Sequence, residues 1–117
     1  MNSTPQPVLV VCRRDIQALL APRDYLAAVE AGFRASVAGD AFAPPPLHLR
    51  AEEGGFHAKG ATFTAARSYV ALKLNGNFPG NLLRNGLPTI QGAILLCDAT
   101  NGSLLAIMDR QSRANDA

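Results

Sequence analysis

The chain has 117 residues, of which 48% are hydrophobic and 17% charged, with no tryptophan and a formal net charge of +2. That length allows one domain with a modest core, near the low end for a self-sufficient enzyme. The small positive charge, carried largely by arginines scattered along the chain, gives no case for a nucleic-acid partner.

The opening stretch MNSTPQPVLVVCRRD holds one short apolar run, Val8 to Cys12, without the basic flank or the length of a signal peptide. No segment approaches the ~20 apolar residues of a membrane span. The sequence therefore reads as cytoplasmic, with no membrane partner. Cys12 and Cys97 both lie in apolar strand-like runs, which points to buried free thiols rather than a disulfide or a metal pair.

Residues 1–7 read as a polar, mobile lead-in, and Val8 to Val11 as a short strand. Asp15 is placed to cap a brief helical turn with Ile16, Leu19 and Leu20 on one side. Pro22 suits the first turn of a longer helix over Arg23 to Ala38, whose Leu26, Val29, Phe33 and Val37 recur at helical spacing before Gly39 stops it. Such a helix is expected to cover one face of a sheet.

The run Ala43 to Pro46 is extended, because consecutive prolines lack donors and fix φ. A hairpin follows: Leu47 to Ala51, a polar turn over Glu52 to Gly55, and Phe56 to Gly60 returning. Ser68 to Asn75 is the next strand, with Val70, Leu72 and Leu74 on one face and Tyr69, Ala71 and Lys73 on the other. Residues 76–89 read as a long Gly-, Asn- and Pro-rich loop. Ile90 to Cys97 and Ser103 to Met108 are strands joined by the turn DATNG, apolar on both faces and so interior to the sheet. One main helix followed by a run of strands predicts an α+β fold around a mixed, largely antiparallel sheet.

Lys73 stands out for chemistry. Sitting between Leu72 and Leu74, it faces away from both, where desolvation would lower its pKa and a carboxylate ligand would be drawn to it. The alternative is a lysine that reaches solvent along its own stem. His57 and Lys59 share a face two residues apart in FHAKG, and a neighbouring Lys73 would complete a cationic pocket for an anion. A solvated edge strand explains that pair as well. His48 and His57 have no Cys or acidic companions for a metal site. The loop NGNFPGN offers backbone N–H groups, yet matches neither a Walker loop nor GxGxxG.

Taken together, the segments YLAAVEAGFRASVAGD, GGFHAKGA, ALKLNGNFPGN, LPTIQGAILLCDATNG and SLLAIMD, in this order over roughly residues 8–109, resemble the N-terminal half of the ornithine cyclodeaminase/mu-crystallin family. The resemblance implies an NAD(P)-dependent homodimer with a Rossmann domain for the cofactor, either NAD or NADP. A separate sheet domain would bind a small amino-acid or imino-acid substrate and form the dimer. The chemistry implied is hydride transfer at the carbon bearing an amino or imino group, as in ornithine cyclisation, alanine dehydrogenation or imine reduction. By the same resemblance Lys73 is a catalytic residue that binds the substrate carboxylate and supports proton movement at the imine. His57 and Lys59 join its pocket. Arg50, in PPPLHLR, is the candidate for the family's carboxylate-binding arginine, although Pro46 or Leu47 stands nearer the expected place. This departure weighs against ornithine as the substrate.

After Asp109 the sequence RQSRANDA leaves the family pattern, and Arg113 takes over no family role. The expected layout is thus a lead-in over 1–7, a partial substrate-binding and dimerisation domain over 8–109, and a non-family tail over 110–117. On this reading the dinucleotide domain and its catalytic aspartate are missing, and the chain alone is inactive. The alternatives are a non-enzymatic dimerisation or interaction module, or a gene remnant.

Overall fold

The structure, a computed structural model, describes residues 7–64 and 66–109. The expectations for residues 1–6 and 110–117, Arg113 included, lie outside the described residues. The elements run β1 (Leu9–Val11), α1 (Arg13–Leu19), α2 (Pro22–Ala38), β2 (Ala41–Phe42), β3 (Leu47–Ala51), β4 (Gly54–Thr64), β5 (Ser68–Asn77), α3 (Asn81–Asn85), β6 (Ile90–Asp98) and β7 (Leu104–Asp109). They build one seven-stranded sheet in the order β1-β7-β6-β5-β4-β2, with β3 also paired to β4. Every pairing is antiparallel except β1 with β7. The fold is α+β on a mixed, largely antiparallel sheet, as the sequence predicts. β6 and β7 lie inside it, because their two apolar faces have no use for an edge.

β4 and β5 are longer than the sequence suggests. β4 and β5 pair over ten positions, from Gly55 with Asn77 to Thr64 with Ser68, and only Glu52 and Glu53 remain as the turn between β3 and β4. The stretch 76–89 is not one open loop: Gly76 and Asn77 finish β5, and α3 forms within it. Asn81 holds this segment together. Its Nδ2 donates to the Pro88 carbonyl at 3.0 Å, and its Oδ1 accepts from Asn85 Nδ2 at 3.0 Å.

Both longer helices start on an aspartate reaching back from their first turn. Asp15 accepts from the Cys12 N–H at 3.1 Å, and Asp24 from the Ala21 N–H at 2.6 Å. Asp15 thus caps α1 from inside the helix, three residues after Cys12. The thiol and N–H of Cys12 hold its carboxyl below the ordinary range. Cys12 is exposed and Cys97 only half-buried, so the expectation of two buried thiols is corrected; both are free. Cys12 sits at the helix entrance, where a strand-like residue has already left the sheet.

The expected cover of the sheet by α2 does not form either. Its main contact is with β2, and Leu26, Val29, Phe33 and Val37 are all exposed, Val37 at 91%. The reason lies in the connection. The chain turns at Gly39 and pins β2 against the Phe63 end of β4, which tethers the helix at the margin of the sheet. Among the described residues only Ala35 and Ala106 are buried apolar side chains. The sheet is a single layer.

Candidate functional site

Register decides which side chains meet. Residues directly opposite on paired strands point to the same face, so the pairings sort the sheet into rows. One row runs Lys59, Lys73, Ile94, Met108 across β4, β5, β6 and β7. The next runs His48, His57, Asn75, Gly92 across β3 to β6. A third holds Arg50, Gly55, Asn77 and Ile90. All three rows lie on one face.

A cleft of about 150 Å³ opens on that face, lined by His57, Lys59, Lys73, Asn75, Asn77 and Ile90. Lys59 stands directly opposite Lys73. The structure therefore brings His57, Lys59 and Lys73 into one place. Arg50 shares their face without lining the cleft: it pairs with Gly55, four residues from Lys59, or ~13 Å along the strand. Asn75 and Asn77 complete the wall; the sequence reading singled out neither, placing Asn75 at the end of its strand and leaving Asn77 in the loop after it. The available signal was their spacing of two and four residues from Lys73, which continues the same face.

The electrostatics are one-sided. Among the described residues that line the cleft there is no carboxylate. Lys59 and Lys73, directly opposite on neighbouring strands, put two like charges side by side on this face, where an anion would be drawn to them. Asn75 Oδ1 is buried with no hydrogen-bond partner among the described residues. Its amide lies on Gly92, where any β-carbon would collide with Asn75 Oδ1 and the Leu74 carbonyl oxygen. Asp98 lies at the other end of this face, opposite Tyr69. The Thr100 hydroxyl and N–H hold its carboxyl below the ordinary range, and it serves its own turn.

A larger cleft, about 500 Å³, lies beside α3 and is lined by Glu53, Phe78, Gly80, Asn81, Arg84, Asn85 and Gln91. Size does not make it the better anion site. Its arginine, Arg84, is ion-paired to Glu53 across the cleft.

No cluster of metal-ligating side chains occurs among the described residues. A dinucleotide does not fit them either. β1 runs into α1 without a glycine loop, and the left-handed glycines Gly39, Gly86 and Gly102 close helices and a turn rather than a strand-to-helix phosphate cradle. Among the described residues no helix is long and apolar enough to cross a membrane.

The sequence profile of the Ornithine cyclodeaminase/mu-crystallin family matches residues 7–114. An alanine dehydrogenase from Archaeoglobus fulgidus is 32% identical over 101 residues, which are 86% of this chain and 30% of that protein. Among solved structures, an archaeal alanine dehydrogenase dimer with bound NAD superposes with a TM-score of 0.78 at 31% identity, covering 87% of this chain and 31% of that one. The iminosuccinate reductase of Paracoccus denitrificans in complex with NAD+ gives 0.78 at 26% identity, covering 87% and 32%. The chain thus spans about a third of the length of these relatives. On the match of the family profile across nearly its whole length, the chain belongs to the ornithine cyclodeaminase/mu-crystallin family.

Proposed function

We propose that the chain provides the substrate side of an NAD(P)-dependent oxidoreductase or cyclodeaminase acting on a small amino or imino acid. The supporting observation is Lys59 opposite Lys73 in a cleft that His57, Asn75 and Asn77 also line. The anion drawn to this cationic corner is the substrate carboxylate. Lys73 holds it and supports proton movement at the amino or imino nitrogen, and His57 adds a polar contact at the cleft wall. Arg50, one row away from His57, guides the anion toward the cleft from outside it. The nicotinamide cofactor, NAD or NADP, supplies or takes the hydride, and what holds it is not among the described residues.

The relatives act on, by name, alanine and iminosuccinate. Both substrates carry a carboxylate beside the reacting carbon, which accords with a lysine-lined cleft. The proposed unit of function is a homodimer. Leu47, Leu49, Phe56, Leu72 and Leu74 form an exposed apolar patch on the face opposite the cleft, and the archaeal alanine dehydrogenase is itself a dimer. That same patch favours a second reading, a dimerisation module without turnover.

Calorimetric titration with L-alanine separates the two. Lys73→Ala is expected to weaken binding roughly tenfold or more, with an unchanged far-ultraviolet circular dichroism spectrum. Equal binding by the variant would remove the pocket assignment and leave the dimerisation module.

A further inference from the structure

His48 and His57 are the chain's two histidines, nine residues apart in sequence. Register sets them directly opposite each other on β3 and β4. Residues so placed carry β-carbons about 4.5–5.5 Å apart. Their ring centroids stand 4.4 Å apart, with the planes at 74°. Both side chains are exposed, so an ion reaches them without opening the fold. The proposed substrate site uses this pair only in part, since His57 lines the cleft and His48 does not.

Two imidazoles at this distance have the spacing of a chelate. A metal ion bound ~2.0–2.1 Å from one nitrogen of each ring, with the two bonds at a right angle, holds the ring centroids about 4.5 Å apart. Right-angled nitrogen donors suit the square-planar or tetragonal geometry of Cu2+ and Ni2+. The histidine ring torsion is broad, so at an exposed position each ring turns a nitrogen toward a shared point at little cost. Lys59 and Arg50 each stand two residues along the same face, ~7 Å from the nearer histidine. Their repulsion of a dication is screened by water and falls on all dications alike. It therefore selects against Mg2+ and Ca2+, which prefer oxygen ligands, and leaves the late first-row ions that imidazole binds well. Two donors are fewer than the three of a resident catalytic metal, in keeping with the lack of a larger cluster among the described residues.

We infer that His48 and His57 form an open two-donor site for a late first-row divalent cation of the Ni2+ and Cu2+ class, with water completing the coordination. The site stands apart from the carboxylate site, because neither lysine is a donor to it. An ion held here draws His57 toward β3 and takes one polar side chain from the cleft wall.

The test is calorimetric titration of the full chain with NiCl2, with MgCl2 as the contrast. One Ni2+ per chain is expected, and no heat of binding from Mg2+. His48→Gln and His57→Gln should each weaken Ni2+ binding roughly tenfold or more, the mark of a chelate, with unchanged far-ultraviolet circular dichroism. Cys12→Ser, which removes the exposed thiol, should leave the binding as it is. Ni2+ is paramagnetic, so the proton signals of both imidazole rings should broaden together at substoichiometric metal. Absence of Ni2+ binding by the native chain, equal binding by His48→Gln, or binding lost in Cys12→Ser and kept in the histidine variants would overturn the site. Broadening of one ring alone would reduce it to a single histidine and overturn the chelate.

Discussion

At the scale of single residues, the site is built on what is left out. Gly92 carries no side chain because the Asn75 amide and the Leu74 carbonyl already occupy its β-carbon position. Asn75 can therefore lie flat on the sheet beside Lys73 without closing the cleft. Gly92→Ala is expected to destabilise the fold by about 1–3 kcal/mol, the usual cost of overpacking. Trimming Asn75 to Gly in the same chain should recover only part of that loss, since the Leu74 carbonyl is backbone and cannot move away. Chemical denaturation checks both; full recovery in the double variant would contradict the geometry. Lys73, His57 and Lys59 were legible in the sequence as residues of a chemical kind on known strand faces. Their convergence could be stated only on the condition that the two strands are neighbours, because it depends on register, and no local pattern states which residue of β4 opposes which of β5.

The elements show where composition misleads. Gly, Asn and Pro over residues 76–89 read as a loop, yet α3 folds there because Asn81, itself 7% exposed, ties Pro88 and Asn85 to one side chain. A buried amide with several partners outweighs poor helical propensity over one short turn. Asn81→Ala, which strands the Pro88 carbonyl, should cost about 1–3 kcal/mol. Breaking the neighbouring Arg84–Glu53 pair with Glu53→Gln should cost less than about 1 kcal/mol, because both side chains are 59% exposed. The reverse ranking in denaturant melts would mean that the ion pair, and not Asn81, fixes this segment. The α2 helix gives the opposite lesson. Its period was plain in the sequence and the helix forms, but periodicity names an apolar face without naming what covers it.

For the whole molecule, the unmet need is a second layer. A sheet with apolar residues on both faces and hardly any buried ones lacks the two-layer core on which domains depend. Exposed Leu26, Val29, Phe33 and Val37 on α2 add a second uncovered surface. The fold class and strand order along the chain followed from the sequence, because alternation and turn residues are local signals. The bare faces did not, since burial depends on what packs against an element and not on its own pattern. If self-association covers the Leu47–Phe56–Leu72–Leu74 patch, the thermal midpoint must rise with protein concentration, as it does for any fold stabilised by its own copies. A midpoint independent of concentration, with a monomer in sedimentation, would contradict the homodimer.

These scales meet in one question: which surface of the sheet receives the substrate. An amide-resolved NMR titration with L-alanine answers it most directly. The account predicts shifts concentrated at His57, Lys59, Lys73, Asn75 and Asn77, with α3 silent. Shifts centred instead on Asn81, Arg84 and Asn85 would move the site to the larger cleft and contradict the assignment of Lys73.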